Sequence, residues 1–409
     1  MWIYVVRRAA LLFPVLIGVM TITFACVSAL PVYDRLVSAY GYPPPRYPPG
    51  YDPTYDCSYW NANATGTCPN PLYVTHLHAL GLDKPIYIQW ATYMYNTFSF
   101  NWGQTDSHSY VVYDQFTFLR GQSVVQAVGD FLPYTLELAA LSLLIIMAIA
   151  IPLGNLSAAN RNRPIDQASR VLSFSGYALP GFLLGGLAVT GVTMLFIAHF
   201  GRSIVTPWCP GGEPPGLEFI NSWPSARTCY SGALSIVGYP LWMANGVSTT
   251  PTGFPTVDAI IHHQYWLALD TLIRMIIPAL VIAFGSVAGL LRFVRNSMLE
   301  VMSLDFVRTA RAKGVPEKVV VNRHAGRNSL NVTITVLGLT FAGFIGGFAV
   351  IESVFNLWGV GRLLAYSIIN PLDFGLIFGS TVLFTWIIVF ANVAVDILYA
   401  YLDPRVRLG

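Results

Sequence analysis

The sequence predicts an all-α integral membrane protein with six transmembrane helices, cytoplasmic N- and C-termini and large extracellular insertions. Of its 409 residues, 54% are hydrophobic and only 11% are charged, and the mean hydropathy is +0.55. Soluble domains usually carry about 25% charged residues. The net charge of +3 is too small to indicate nucleic-acid binding. These observations place much of the chain in lipid.

The spans follow from the apolar stretches. A helix needs about 20 apolar residues to cross the hydrocarbon core of a bilayer. Internal prolines such as Pro152, Pro180 and Pro278 are tolerated, because neighbouring helices satisfy the freed backbone groups. Six stretches without Asp, Glu, Lys or Arg meet or approach this length: Ala9–Leu30, Leu138–Ala159, Val171–Phe200, Met275–Leu291, Val332–Ile351 and Phe374–Val395.

The first apolar stretch has an alternative interpretation. Two arginines before an apolar run, here Arg7 and Arg8, are also typical of the start of a cleavable signal peptide. The run is long, however, and no small-residue cleavage site precedes the polar region at Tyr33. We therefore favour a transmembrane helix.

Orientation follows from the distribution of Lys and Arg. Most of these 23 residues fall in short segments on the side of the N-terminus, although the segments on the other side are longer. The positive-inside rule then puts both termini in the cytoplasm. The predicted organisation is a first helix in 1–30, an extracellular segment 31–131, helices two and three in 132–200, an extracellular insertion 201–269, and helices four to six in 270–409 with a cytoplasmic loop 292–330.

Both extracellular segments carry cysteines. Four of the five cysteines lie there, and cysteines on the oxidising side of a membrane indicate disulfides. We expect the short-range pairs among three possible connectivities, with free thiols as the alternative. No C-x-x-C pair occurs, so we predict no metal site, and Asn63-Ala64-Thr65 is a weak glycosylation signal. The expected pairs are Cys57–Cys68 and Cys209–Cys229.

The cytoplasmic stretch 292–330 is basic and too polar to span a membrane. Helix-forming residues flank Gly314-Val315-Pro316, which predicts a helix, a turn and a second helix. The first helix would place Leu304, Val307 and Arg311 on one face. A short amphipathic helix between two spans can dock into a partner and transmit movement. The alternative is a charged loop that only fixes topology.

This stretch resembles a known family. Asp305-Phe306-Val307-Arg308-Thr309-Ala310-Arg311-Ala312-Lys313-Gly314 is similar to the EAA loop of binding-protein-dependent ABC importers, in the form of B-type subunits of the dipeptide/oligopeptide/nickel permease family. Arg323-His324-Ala325 follows at that family's spacing, and Asp403-Pro404-Arg405-Val406-Arg407 resembles its C-terminus. The resemblance implies a coupling helix that enters a cleft on a cytosolic ATPase. It assigns ATPase coupling to Leu304, Asp305, Phe306, Val307, Arg308, Thr309, Ala310, Arg311, Ala312, Lys313 and Gly314.

The match covers most of the chain in the family's order, with departures. Trp358 and Val332 stand where the family often has proline, and Gly326 replaces a larger apolar residue. The regions 40–71 and 202–262 look like insertions relative to typical members.

The chain lacks a phosphate-binding loop. Such a loop needs G-x-x-x-x-G-K-[S/T], and none of Lys84, Lys313 and Lys318 follows Gly and precedes Ser or Thr. Energy must come from a partner or an ion gradient. A gradient-driven secondary transporter usually has ionisable residues in mid-span, and these spans have none. A membrane hydrolase using His76, His78 or His108 is disfavoured, because no nucleophile, base and orienting group share one region.

Two carboxylates near predicted span ends are candidate pathway residues. Glu137 and Glu352 could line an outer vestibule. Hydrogen bonding to a neighbouring helix is the alternative for each.

The sequence therefore predicts a multi-pass permease subunit in the cytoplasmic membrane, not an enzyme. The resemblance implies a homologous second permease, two cytosolic ABC ATPases and an extracellular substrate-binding protein as partners, besides membrane lipid. We expect no cofactor on this chain and ATP with Mg on the ATPases. Alternating access would move di- or oligopeptides, with oligosaccharides or nickel as alternatives.

Overall fold

The computed structural model describes residues 2–30, 78, 81–105, 122–200, 252–261, 263, 265–355, 357, 359–369 and 373–402. These residues are almost entirely helical. Within the described ranges, β-structure is limited to an isolated antiparallel bridge between Gln104 and Ser123. The predicted all-α class is therefore confirmed.

One helix coincides with each predicted span except the third, which two helices share. The helices, in chain order, are α1 (Trp2–Ser28), α2 (Ile86–Phe98), α3 (Val124–Ala159), α4 (Pro164–Ala178), α5 (Gly181–Phe200), α6 (Pro255–Ile261), α7 (Tyr265–Met302), α8 (Asp305–Ala312), α9 (Gly326–Val354), α10 (Val360–Ile369) and α11 (Phe374–Leu402). A helical turn at Glu317–Val319 and a π-helical turn at Val320–Ala325 connect α8 to α9.

Length and composition qualify several of these helices as membrane spans. Among the described residues, Val124–Ala159, Met275–Met302 and Phe374–Val395 are long and apolar enough, and α4 with α5 makes a fourth if they count as one bent span. Phe13–Ser28 in α1 is a shorter apolar helix. The total of six spans and the cytoplasmic position of both termini stay predictions.

The predicted third span is broken. Helices α4 and α5 meet at 99°, instead of forming one helix over Val171–Phe200. The break falls at Leu179, whose backbone is extended at φ −99° and ψ 115°. The following Pro180 explains this, because a proline ring disfavours helical geometry in the residue before it.

Two other helices extend well beyond the predicted spans. Helix α3 begins at Val124 rather than near Leu138, and α7 runs from Tyr265 to Met302 through Arg292 and Arg295. An apolar run marks only the part of a helix that needs lipid. Polar residues with good helix propensity continue the same helix beyond it.

The chain divides into two compact units. The first comprises residues 1–12, 130–362 and 386–409. Its core forms where α7 packs against α4 and α9, around buried residues such as Ile146, Leu290 and Phe348. This unit holds the coupling segment and both candidate pathway carboxylates.

The second unit comprises residues 13–129 and 363–385. Here α2, which the sequence placed in an extracellular segment, packs along the first apolar helix. The rings of Phe98 and Phe13 stack with centroids 5.4 Å apart, and Trp90 Nε1 donates to Thr21 Oγ1 at 3.1 Å. Part of segment 31–131 therefore contacts the first span directly.

Candidate functional site

The predicted coupling segment forms the helix, turn and helix expected from sequence. Helix α7 ends at Met302, and α8 begins at Asp305 after the extended residue Leu304. Asp305 lies in the first turn of α8, where a negative charge is favourable because the helix dipole is positive there.

The residues that the sequence placed on one face of α8 differ in burial. Val307 is buried together with Ala310, whereas Leu304 and Arg311 are exposed. Leu304 precedes the helix and does not follow its periodicity, while Arg311 turns towards an acid in the next segment. Positions i and i+3 carry the buried contact.

Val307 and Ala310 anchor α8 in a small hydrophobic cluster. The cluster also contains Ala158 from the end of α3, Met298 from α7, and Val320. Helix α8 therefore rests on the C-terminal end of α3 and the C-terminal part of α7. A displacement of α8 would therefore act on both α3 and α7.

Gly314 makes the turn after α8. Its φ is +75°, a region that favours glycine, and its N–H donates to Arg311 O at 2.9 Å. The next residue, Val315, donates its N–H to Ala310 O at 3.2 Å, which closes the helix end. The predicted turn is confirmed, and it depends on a glycine for backbone reasons, since no atom lies within 4 Å of a Cβ added there.

An ion pair holds the turn across its outer side. Arg311 Nε and Nη2 donate to the two carboxylate oxygens of Glu317 at 3.0 and 2.7 Å. The guanidinium lowers the pKa of Glu317, and the carboxylate raises the pKa of Arg311. Both side chains are substantially exposed, so this pair orients the turn more than it stabilises the fold.

The outer face of the segment combines apolar and basic side chains. Leu304 and Phe306 are 46% and 41% exposed, and Arg308 and Lys313 are exposed beside them. Exposed large apolar side chains rimmed by charges are typical of protein contact surfaces. The segment has one face anchored to its own chain and another available to a partner.

Glu352 makes hydrogen bonds within its own chain. It is fully buried, accepts from Thr135 Oγ1 at 2.8 Å and accepts from the Arg362 N–H at 3.0 Å. The hydrogen-bonding alternative therefore describes this carboxylate in the structure. Its role in a pathway stays a prediction.

Glu137 is half-buried near the start of α6. The Thr256 N–H lies 3.5 Å from Glu137 Oε2, a long hydrogen bond. On the same helix, Asp258 is fully buried and accepts from the Thr252 and Gly253 N–H groups at 3.0 and 2.9 Å. A pathway role for Glu137 also stays a prediction.

Sequence reasoning missed Asp166, a carboxylate that accepts five hydrogen bonds. Its side chain is fully buried beside Arg170 and Arg295. One sequence signal was available: Asp166 and Arg170 are four residues apart, a spacing that lets an acid and a base pair on one helix. The partner Arg295, from α7, has no sequence signal because the contact is long-range.

Several predicted features lie outside the described residues. These are Asn63 and the four cysteines Cys57, Cys68, Cys209 and Cys229. Their glycosylation and pairing stay predictions. Cys26, in α1, is an exposed free cysteine.

The apolar helices, with α8 anchored on the ends of two of them, define an integral membrane protein. The chain belongs to the binding-protein-dependent transport system inner membrane component family, whose model matches residues 150–408. It is a multi-pass protein of the cytoplasmic membrane and an ABC importer permease of the peptide family.

Named relatives agree with this membership. The chain is 33% identical over 331 residues to the probable D,D-dipeptide transport system permease DdpB of Escherichia coli, which covers 81% of this chain and 83% of the relative. A putative peptide transport system permease of Brucella abortus is 33% identical over 80% of this chain and 82% of its own. The dipeptide transport system permease DppB of Escherichia coli is 27% identical over 99% and 98%.

Proposed function

We propose that this chain is the translocating subunit of an importer that moves dipeptides or short oligopeptides into the cell. The observation that carries this is the two-faced α8: Val307 and Ala310 seat it on the ends of two long helices, while Leu304 and Phe306 face outwards. The relatives named as peptide and dipeptide permeases support the substrate class.

In this proposal, residues Leu304 to Gly314 couple the permease to an ATPase. Phe306 and Leu304 enter an apolar cleft of the ATPase, and Arg308 and Lys313 meet acidic groups at its rim. Burying such an apolar pair at the centre of an interface, with charges around it, is the usual arrangement of a strong contact. Because α8 is anchored on α3 and α7, its displacement reorients these helices and alternates access to the pathway.

The partners follow from this role. Two cytosolic ATPases bind ATP and Mg and hydrolyse the nucleotide, while this chain binds no cofactor. A homologous second permease completes the pathway, and an extracellular substrate-binding protein delivers the peptide. Glu137 and Glu352 are the candidate carboxylates towards the outer side of the pathway.

The test is reconstitution of the complex, purified with its partners from native membranes, into vesicles. We expect the ATPase rate to rise when a peptide-loaded binding protein is added, and a labelled dipeptide to accumulate inside. Mass spectrometry of the ligand retained by the binding protein identifies the substrate class independently.

Other outcomes redirect the proposal. Retained oligosaccharide, or nickel-dependent stimulation, would change the substrate class and leave the coupling role intact. A complex without an ATPase and without a binding protein would contradict the importer role itself and favour gradient-driven transport.

A further inference from the structure

Asp166 lies in a cage of hydrogen-bond donors from four parts of the first unit. Arg295 donates through Nε to Oδ1 at 2.6 Å and through Nη2 to Oδ2 at 3.1 Å. Arg170 Nη2 donates to Oδ2 at 2.8 Å, Ser157 Oγ to Oδ1 at 2.7 Å, and the Asn162 N–H to Oδ2 at 2.9 Å. Both carboxylate oxygens are therefore fully used.

The donors do not all come from one element. Ser157 lies near the end of α3, Asn162 lies in the turn before α4, and Arg295 lies in α7. Arg170 is different, because it lies in α4, four residues after Asp166 itself. Only the Arg295 contact joins α7 to the α3–α4 turn through this carboxylate.

Helix packing around the cage is close. A Cβ atom on Gly176 of α4 would overlap Ala288 Cβ in α7, and one on Gly154 of α3 would come within 2.6 Å of Val294 Cγ1 in α7. Small residues at such contacts let helix backbones approach in membranes. Close packing at Gly154 and Gly176 and the ion pair between Asp166 and Arg295 therefore both hold α3 and α4 against α7.

The cage adjoins the seat of α8. Ser157 in the cage is followed directly by Ala158, which contacts the α8 cluster, and Arg295 precedes Met298 of that cluster by about one helical turn. The same two helix ends thus carry the polar cage and the apolar seat of Val307. A force applied to α8 reaches both.

We propose that Asp166 is a positioning residue for energy coupling, whose ion pair with Arg295 makes the α3–α4 turn move together with α7 and the coupling helix. This inference rests on the coupling role proposed above. A bidentate guanidinium–carboxylate contact fixes orientation as well as distance, which apolar packing does not. Without it, α8 still contacts the end of α3 through Ala158, but the α3–α4 turn loses its direct connection to α7.

Arg295→Gln is the decisive variant, and Arg170→Gln is its matched control. Both remove one guanidinium from the same carboxylate, but only the Arg295 guanidinium comes from α7, whereas Arg170 lies in α4 with Asp166 and reaches only Asn162 in the adjoining turn, at 3.4 Å. In the reconstituted complex, we expect Arg295→Gln to lower peptide uptake per ATP hydrolysed at least tenfold, while basal ATPase activity persists. Arg170→Gln should stay within about twofold of wild type, and Arg295→Lys should recover part of the loss.

A second measurement reports the transmission itself. Hydrogen–deuterium exchange, with and without ATP, should show nucleotide-dependent changes in both α8 and residues 160–163 of the wild-type complex. In Arg295→Gln the change should persist in α8 and disappear from 160–163. If Arg295→Gln does not assemble, the comparison is made between Arg295→Lys and Arg170→Gln, and Arg295→Lys should then show the larger loss of coupling.

The outcomes separate this proposal from the general one. Equal loss of coupling in Arg170→Gln and Arg295→Gln, or an unchanged response of 160–163 in the assembled variant, would overturn the positioning role. If nucleotide changes the exchange of both α8 and residues 160–163 in a wild-type complex that does not respond to peptide, the positioning role is supported and only the peptide substrate is refuted. A complex that contains no ATPase would overturn both.

Discussion

Asp166 and Glu352 are both buried carboxylates in the first unit, and their neighbours satisfy them differently. Asp166 accepts hydrogen bonds from the guanidinium groups of Arg170 and Arg295. Glu352 accepts from the Thr135 hydroxyl and from a backbone N–H, and Thr135 Oγ1 in turn accepts from the Val360 N–H at 2.8 Å.

The difference separates two uses of a buried acid. Asp166 joins α4 to α7 through a charge pair, which fixes the orientation of the two helices. Glu352 joins α9 to α3 through the neutral Thr135 hydroxyl and also shapes the short connection between α9 and α10. Glycine at position 359 fits this second role, because a Cβ there would overlap the Glu352 carboxylate. Removing the two acids should therefore have unequal costs.

The largest expected effect is on Asp166. Asp166→Ala leaves the guanidinium of Arg295, whose side chain is only 14% exposed, without its carboxylate. Breaking a buried pair from one side typically costs about 3–5 kcal/mol of stability. Thermal unfolding of the purified complex should show a clear drop in midpoint.

Asp305→Ala is the control for that substitution. The Asp305 side chain is 95% exposed, so its loss should change stability by only about 0.5 kcal/mol or less. Equal midpoint shifts for Asp166→Ala and Asp305→Ala would mean that the buried pair contributes nothing.

A smaller loss is expected at Glu352. Glu352→Ala leaves the Thr135 hydroxyl and the Arg362 N–H without their acceptor, and a buried neutral donor without a partner costs about 1–3 kcal/mol. Glu352→Gln keeps a carbonyl oxygen of the same size and should retain more stability. The same unfolding assay compares the two, and a Gln variant no better than Ala would contradict the hydrogen-bonding role.

Gly314 tests the turn rather than a carboxylate. Gly314→Val forces a β-branched residue to φ +75°, at a backbone cost of about 1–2 kcal/mol. The strain tilts α8 on its seat, so peptide uptake per ATP should fall severalfold. Asparagine tolerates positive φ, so peptide uptake per ATP should fall less in Gly314→Asn. Equal uptake per ATP in wild type and Gly314→Val would exclude this turn from coupling.

The smallest effect concerns the exposed ion pair. Arg311 lowers the folded-state pKa of Glu317 below its ordinary 4.5. The ion pair therefore contributes its full stability above about pH 4.5, and this stability is lost as the pH falls through the lowered pKa. Exposed pairs contribute about 0.5 kcal/mol. The midpoint difference between wild type and Glu317→Gln should be small at pH 7 and vanish on acidification; a difference that grows on acidification would contradict this sign.

Sequence patterns predicted the helices better than their ends. Charge-free stretches coincide with helices, because an apolar run of this length favours a helix in lipid, but they did not reveal that α3 starts at Val124 or that Leu179 interrupts the predicted third span. Helix ends depend on local backbone chemistry, which hydropathy does not measure.

The site divides in the same way. Local sequence predicted the turn at Gly314 and the helix before it. Tertiary contacts between distant helices decide which residues of α8 are buried, namely Val307 and Ala310. They also decide the pairing of Asp166 with Arg295, and the 129 residues between these two hide the contact from any local pattern.

The π-helical turn at Val320–Ala325 sets the rotational phase of the helix that follows it. A π-turn accommodates one residue more than an α-turn, and each α-helical residue advances the chain by about 100°. Deleting a single residue here would turn α9 about its axis and carry Phe344 and Phe348 out of the core. Chain length at this turn, more than side-chain identity, decides which flank of α9 faces its neighbours.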